Sequence, residues 1–139
     1  MKTNVTVRVL VAGAVMLGFI GCTGAQDEPE LLGGWMLEYV DGLPVIDRSP
    51  AFIEFSEDGR VGGDASCNRF SGGYELSGTT LALGEIAATR RMCSETLNDQ
   101  ELRVLQVLSR IAGWRIENGL LLLLDADGVE VIRASRREE

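Results

Sequence analysis

Two-residue turn signals recur through this chain and constrain it to a series of short antiparallel hairpins. Asp41-Gly42, Asp58-Gly59, Ser77-Gly78, Asn118-Gly119 and Asp127-Gly128 each separate short apolar or alternating runs. Asp-Gly and Asn-Gly accept the positive φ that a tight reversal between twisted strands demands. The runs between them read as strands. Trp35 to Val40 is apolar and aromatic, and Ala51 to Phe55 alternates, with Phe52 on one side and Ile53 on the other. Arg60 to Gly63, Tyr74 to Leu76, Thr80 to Leu83 and Trp114 to Glu117 follow, with a further strand expected over Glu85 to Met92. The unbroken run Leu120 to Leu124 is expected to be buried on both faces. Val129 to Ile132 reads as the last strand, and the charged stretch from Arg133 to Glu139 is expected to fray.

One segment breaks the strand pattern. Leu97, Val104, Leu105, Leu108, Ile111 and Ala112 share one face at helical spacing, with Gly113 as a stop. Glu101 is a charged flaw near the start of that stripe. Thr96-Leu97-Asn98-Asp99 is a possible capping box, with Ser94 as the rival cap. Many short strands with one helix define an α+β fold: a single domain with a curved, barrel-like antiparallel β-sheet packed against one α-helix.

The N-terminus sets the compartment. A basic start with Lys2 and Arg8 precedes an apolar and small-residue run from Val9 to Gly21, directly followed by Cys22. That is the layout of a bacterial export signal. Phe19-Ile20-Gly21-Cys22 resembles the lipobox of bacterial lipoproteins, in which the Cys is acylated and becomes the new N-terminus. Phe19 stands where Leu is usual. The rivals are secretion after a cut near Gly21 or Ala25, and an uncleaved anchor, but residues 9–21 fall short of the roughly 20 needed to span a bilayer. Thr23, rather than Asp, after the Cys implies the outer membrane by the same resemblance. The expected layout is therefore a signal peptide over 1–21, a small, acidic, lipidated tether over 22–30, and a folded domain over 31–135.

Loss of residues 1–21 from the 139 leaves 118, enough for one core. It also removes Lys2 and Arg8 from 13 basic residues, leaving 11 against 21 acidic ones, a charge of −10. Such a chain is not expected to bind nucleic acid or an anionic lipid surface. It contains no His, which removes the commonest general base and metal ligand. No metal and no cofactor is expected, and no residue is assigned a catalytic role. Asp125 and Asp127 read as turn residues.

The densest block is Asp64-Ala65-Ser66-Cys67-Asn68-Arg69-Phe70-Ser71-Gly72-Gly73-Tyr74, followed by Ala88-Thr89-Arg90-Arg91-Met92-Cys93. With Leu32-Gly33-Gly34-Trp35 before and Gly119-Leu120-Leu121-Leu122-Leu123 after, it resembles the META domain, also called the HslJ-like domain, over about residues 31 to 133. Ser66 stands where that family usually has Gly, and Arg91 departs from its Met-Ala-Cys pattern. The resemblance implies a small exported or membrane-anchored protein linked to stress tolerance, antibiotic resistance or motility, in a family whose molecular activity is largely undefined.

Within this block, Asn68 suits a left-handed turn or bulge, and Phe70 and Tyr74 are expected to anchor the core. Asn68, Arg69, Tyr74 and Arg90 are the candidate binding residues; an Arg69–Arg90 pair beside the cysteines could hold a carboxylate. If Cys22 carries lipid, Cys67 and Cys93 are left as the only possible disulfide pair in an oxidising space. The alternative is two buried thiols. The expected function is a non-enzymatic envelope lipoprotein, monomeric and anchored to the membrane through Cys22. The alternative is a lipoprotein that binds a small apolar ligand in a pocket of the curved sheet.

Overall fold

The turn signals lie where the chain reverses. In the computed structural model, which describes residues 28–138, Gly42, Gly59, Gly78, Gly119 and Gly128 all have φ between 58° and 79°. Asp41 and Asn118 precede two of these with φ of 52° and 53°, so both central residues of those turns are left-handed. The strands between are β1 (Gly33–Val40), β2 (Leu43–Pro44), β3 (Phe52–Phe55), β4 (Arg60–Asp64), β5 (Arg69–Ser77), β6 (Thr80–Leu83), β7 (Ala87–Ala88), β8 (Gly113–Glu117), β9 (Leu120–Leu124) and β10 (Glu130–Arg136). A short helix, α1 (Glu28–Leu31), opens the fold, and a longer one, α2 (Glu95–Leu108), sits between β7 and β8.

All ten strands form one antiparallel sheet. The path runs β10-β9-β8-β6-β5-β4-β3-β1-β2, and β10 also pairs with β1, so it closes into a ring. The link between β6 and β8 is a single pair, Thr80 opposite Gly113. The fold is a single α+β domain, with its core on the inner face of the sheet. Trp35, Ile53, Phe55, Leu81, Trp114, Leu121, Leu123 and Ile132 are each no more than 1% exposed there. Helix α2 adds Val104, Val107 and Leu108 to the same cluster. Alternation explains the choice of face: in β3, Ile53 and Phe55 are buried while Glu54 is exposed.

Four local expectations need correction. Helix α2 ends at Leu108 with Ser109 as its C-cap; Ile111 and Ala112 belong to the turn into β8. Its N-cap is Ser94, and Thr96 to Asp99 lie inside the helix. Of Glu85 to Met92, only Ala87–Ala88 pairs as strand, because the backbone after it is held by a side chain, described below. The C-terminal stretch does not fray at Arg133. Strand β10 continues to Arg136, whose guanidinium stacks 3.8 Å from the Trp35 ring centroid and donates to Leu32 O and Glu30 O at 2.6 and 2.9 Å. Arg137 stacks over Phe52 at 4.1 Å. Arginine has both an apolar stem and a flat cation, so a charged sequence can still pack on aromatic faces.

Cys22, the signal segment and most of the tether lie outside the described residues. The described residues begin with α1 at Glu28, and Leu31 is fully buried, its carbonyl accepting from Trp35 Nε1 at 2.8 Å.

Candidate functional site

The Asp64–Tyr74 block builds two different things, one beneath the surface and one on it. Between β4 and β5 the chain makes a short corner at residues 65–68, closed by Ala65 N donating to Asn68 O at 2.9 Å. The left-handed residue in this corner is Ser66, with φ of 107°, and not Asn68. An L side chain is strained at this φ, which Gly would adopt without cost. Ser66 keeps the turn through Asp64 Oδ1, which accepts from Ser66 N at 2.9 Å. Its hydroxyl meets Gln100 Nε2 and Ser49 Oγ in a polar cluster completed by Ile46 N donating to Gln100 Oε1 at 2.7 Å. Gln100 is fully buried on α2, so this cluster holds the 46–49 loop, the corner and the helix together.

Asn68 is the second hub and is 4% exposed. Its Oδ1 accepts from Arg91 N at 2.6 Å and Thr89 Oγ1 at 2.9 Å. Its Nδ2 donates to Arg91 O at 3.0 Å and to both Glu101 carboxylate oxygens at 3.0 Å. One amide thus joins the corner, the 89–91 segment and helix α2. Glu101, the flaw in the apolar stripe, is there to meet it. Beside it, Cys67 and Cys93 are bonded to each other, with Cα atoms 5.9 Å apart, and Arg91 Nη2 donates to Cys67 O at 2.9 Å. This assembly fixes structure: every polar atom of the Asn68 side chain is engaged within the protein.

The remaining candidates separate. Tyr74 lies on the inner side, its ring edge-on to Phe55 at 5.3 Å and its hydroxyl donating to Ser56 O at 2.8 Å. Arg90 is exposed on the segment leading to Cys93. Arg69 points the other way, onto the outer face of the sheet. There it lines an open groove of about 770 Å³ over β3, β4 and β5, walled by Ala87, Ala88 and Thr89. The groove also receives Arg60 from β4 and Arg137 from the C-terminus. Sequence reasoning paired Arg69 with Arg90. The cations that share its groove come from the neighbouring strand β4 and from the C-terminus, which the fold brings beside it.

On the inner face, where the alternative reading placed an apolar ligand, Trp35, Trp114, Leu121 and Leu123 pack into the core. Among the described residues, no three His, Cys, Asp or Glu side chains gather to hold a metal, and no helix is long and apolar enough to cross a membrane. Asp125 accepts from Asp127 N and Val129 N at 3.0 and 2.9 Å, a turn built by its own side chain.

An antiparallel ring with one long helix and a stapled β4–β5 corner defines a class of small α+β domain. The META domain family matches residues 29–138, and the chain belongs to that family. Solved structures similar to this chain include the following three. A protein determined by NMR is 32% identical, with a TM-score of 0.60, covering 77% of this chain and 92% of its own. A Burkholderia xenovorans protein, also determined by NMR, is 22% identical with a TM-score of 0.62, covering 80% of this chain and 86% of its own. A DUF4847 family protein from Bacteroides vulgatus ATCC 8482, a crystal structure, is 16% identical with a TM-score of 0.57, covering 81% of this chain and 97% of its own. The last two are likenesses of fold alone. No curated protein matches the chain.

Proposed function

We propose that this META domain protein is a non-enzymatic lipoprotein of the cell envelope, acylated at Cys22 and held at the periplasmic face of the outer membrane. The observation that carries this reading is the Cys67–Cys93 bond. Structural disulfides persist in oxidising compartments and are rare in the bacterial cytosol. The export-type N-terminus and the cysteine that follows it supply the route and the anchor. Cys22 lies only six residues before Glu28, where α1 begins, a reach of at most about 20 Å. The domain would therefore work close to the bilayer. Its polar hubs, Asn68 and Gln100, are spent on internal bonds, so a role in binding or scaffolding suits the fold better than chemistry. A part in stress or antibiotic tolerance is the physiological setting that the family resemblance suggests.

The test is Cys22→Ser in cells expressing the full chain. Wild type should fractionate with membranes and incorporate labelled palmitate, and the variant should do neither. Equal membrane association of the two would refute the anchor.

A further inference from the structure

The outer groove is a grid whose geometry follows from strand register. Three cross-strand rows face out: Phe52–Asp64–Arg69, then Glu54–Gly62–Ser71, then Ser56–Arg60–Gly73. Residues two apart on a strand are about 6.6 Å apart, and neighbouring strands about 4.8 Å. Arg60 and Arg69 are thus anchored at opposite ends of the grid, roughly 13 Å apart along the strands and one strand apart across them. Arg137 lies over Phe52 in the Arg69 row, roughly 10 Å from Arg69 across the sheet.

The charges contrast with the rest of the molecule. The chain carries a net −8, yet this groove gathers three guanidinium groups against the carboxylate of Glu54. Among the described residues, no carboxylate comes within ion-pair distance of Arg60, Arg69 or Arg137. Asp64, beside Arg69 in the register, directs Oδ1 to Ser66 N. Arg137 is held in place on Phe52, while Arg60 and Arg69 present guanidinium donors with no partner among the described residues. Between them the floor is Gly62, where no side chain keeps a ligand backbone away.

We infer that this groove binds an extended acidic peptide carrying two carboxylates about four residues apart, one at Arg60 and one at Arg69 and Arg137. An extended chain of four residues covers about 13 Å, which matches the grid. Glu54 lies in the middle row and repels a negative group there, so adjacent acids fit worse than separated ones. A compact dicarboxylate is too short to meet both ends. The acidic body of the domain disfavours long polyanions and anionic bilayers, which would feel the whole surface. The site is independent of the anchor and stands whether or not Cys22 is acylated.

The experiment is fluorescence anisotropy with the full mature chain in detergent at low salt. The probes are labelled peptides containing Glu-Ala-Ala-Ala-Glu, Ala-Glu-Glu-Ala-Ala and Lys-Ala-Ala-Ala-Lys. Saturable binding of the first, at least about five-fold tighter than the second and absent for the third, is expected. R60Q and R69Q should each weaken it by about five-fold and abolish the preference for spacing, with melting temperature unchanged. R60K, which keeps the charge but loses the planar fork, should fall between wild type and R60Q. Absent binding at millimolar peptide, equal affinity for the first two peptides, or wild-type affinity in R60Q and R69Q would overturn the inference. So would displacement by succinate at concentrations comparable to the peptide, which would mean a site for small anions. Binding to anionic vesicles lost in R60Q and R69Q would do so too.

Discussion

Truncating Asn68 tests the structural account most sharply, because one buried amide joins three segments distant in sequence. Asn68→Ala removes neutral hydrogen bonds to Arg91 N, Arg91 O and Thr89 Oγ1, and a charged one to Glu101. Neutral bonds contribute about 1 kcal/mol each and a bond to a charged group about 2 kcal/mol, a gross loss of about 5 kcal/mol. Thr89 and Arg91 are exposed, so water replaces part of this, and a net loss of about 3 kcal/mol is expected. For a domain of this size that lowers the melting temperature by roughly 10 °C. Urea unfolding followed by tryptophan emission is the assay, since Trp35 and Trp114 are both 1% exposed and should shift strongly to the red on unfolding. A cycle with Glu101→Ala isolates the charged contact, with an expected coupling of about 1–2 kcal/mol. A loss below about 1 kcal/mol for Asn68→Ala, or zero coupling to Glu101, would refute the hub.

Other perturbations separate the remaining devices. Replacing Cys67 and Cys93 together by Ser opens a 26-residue span and should cost about 3.5 kcal/mol in urea unfolding by the chain-entropy model. A Cβ on Gly63 would sit 2.0 Å from Phe52 O, so Gly63→Ala should lose about 3 kcal/mol or more or fail to accumulate. Gly42→Ala meets no atom within 4 Å and pays only for its φ of 76°, so a melting shift equivalent to about 1 kcal/mol is expected. Arg136→Ala removes the stack on Trp35 and the bonds to Leu32 O and Glu30 O; a loss of about 2 kcal/mol and faster amide exchange around α1 should follow.

Features that depend on local sequence were legible in advance. Turn pairs such as Asn118-Gly119 place φ requirements on adjacent residues, and alternation in Phe52 to Phe55 assigns faces directly. The leucines of β9 announced their burial because no polar residue interrupts them. Features assembled from distant segments were not. Glu101 read as a defect in an apolar stripe, whereas its partner lies 33 residues away. A charge on a buried helix face can thus signal a polar partner beneath it. The left-handed residue at the corner was misassigned to Asn68 because Asn tolerates that conformation intrinsically. In the fold Asn68 is drawn into an internal network and Ser66 takes the strain. The groove was least visible. Its arginines come from β4, β5 and the C-terminus, and they become neighbours only through the pairing of β3 with β4 and β4 with β5. Arg136 and Arg137 looked like a solvated tail, because charge patterning alone does not show an aromatic face waiting for them.

The central claim, an exported, lipid-anchored and disulfide-stapled META domain, is tested most directly by one intact-mass measurement. The protein would be purified from membranes and weighed before and after reduction. A chain beginning at Cys22, heavier by its acyl groups and gaining two hydrogens on reduction, is the expected result. An unacylated chain beginning at Met1, with a mass indifferent to reductant, would contradict both the anchor and the staple.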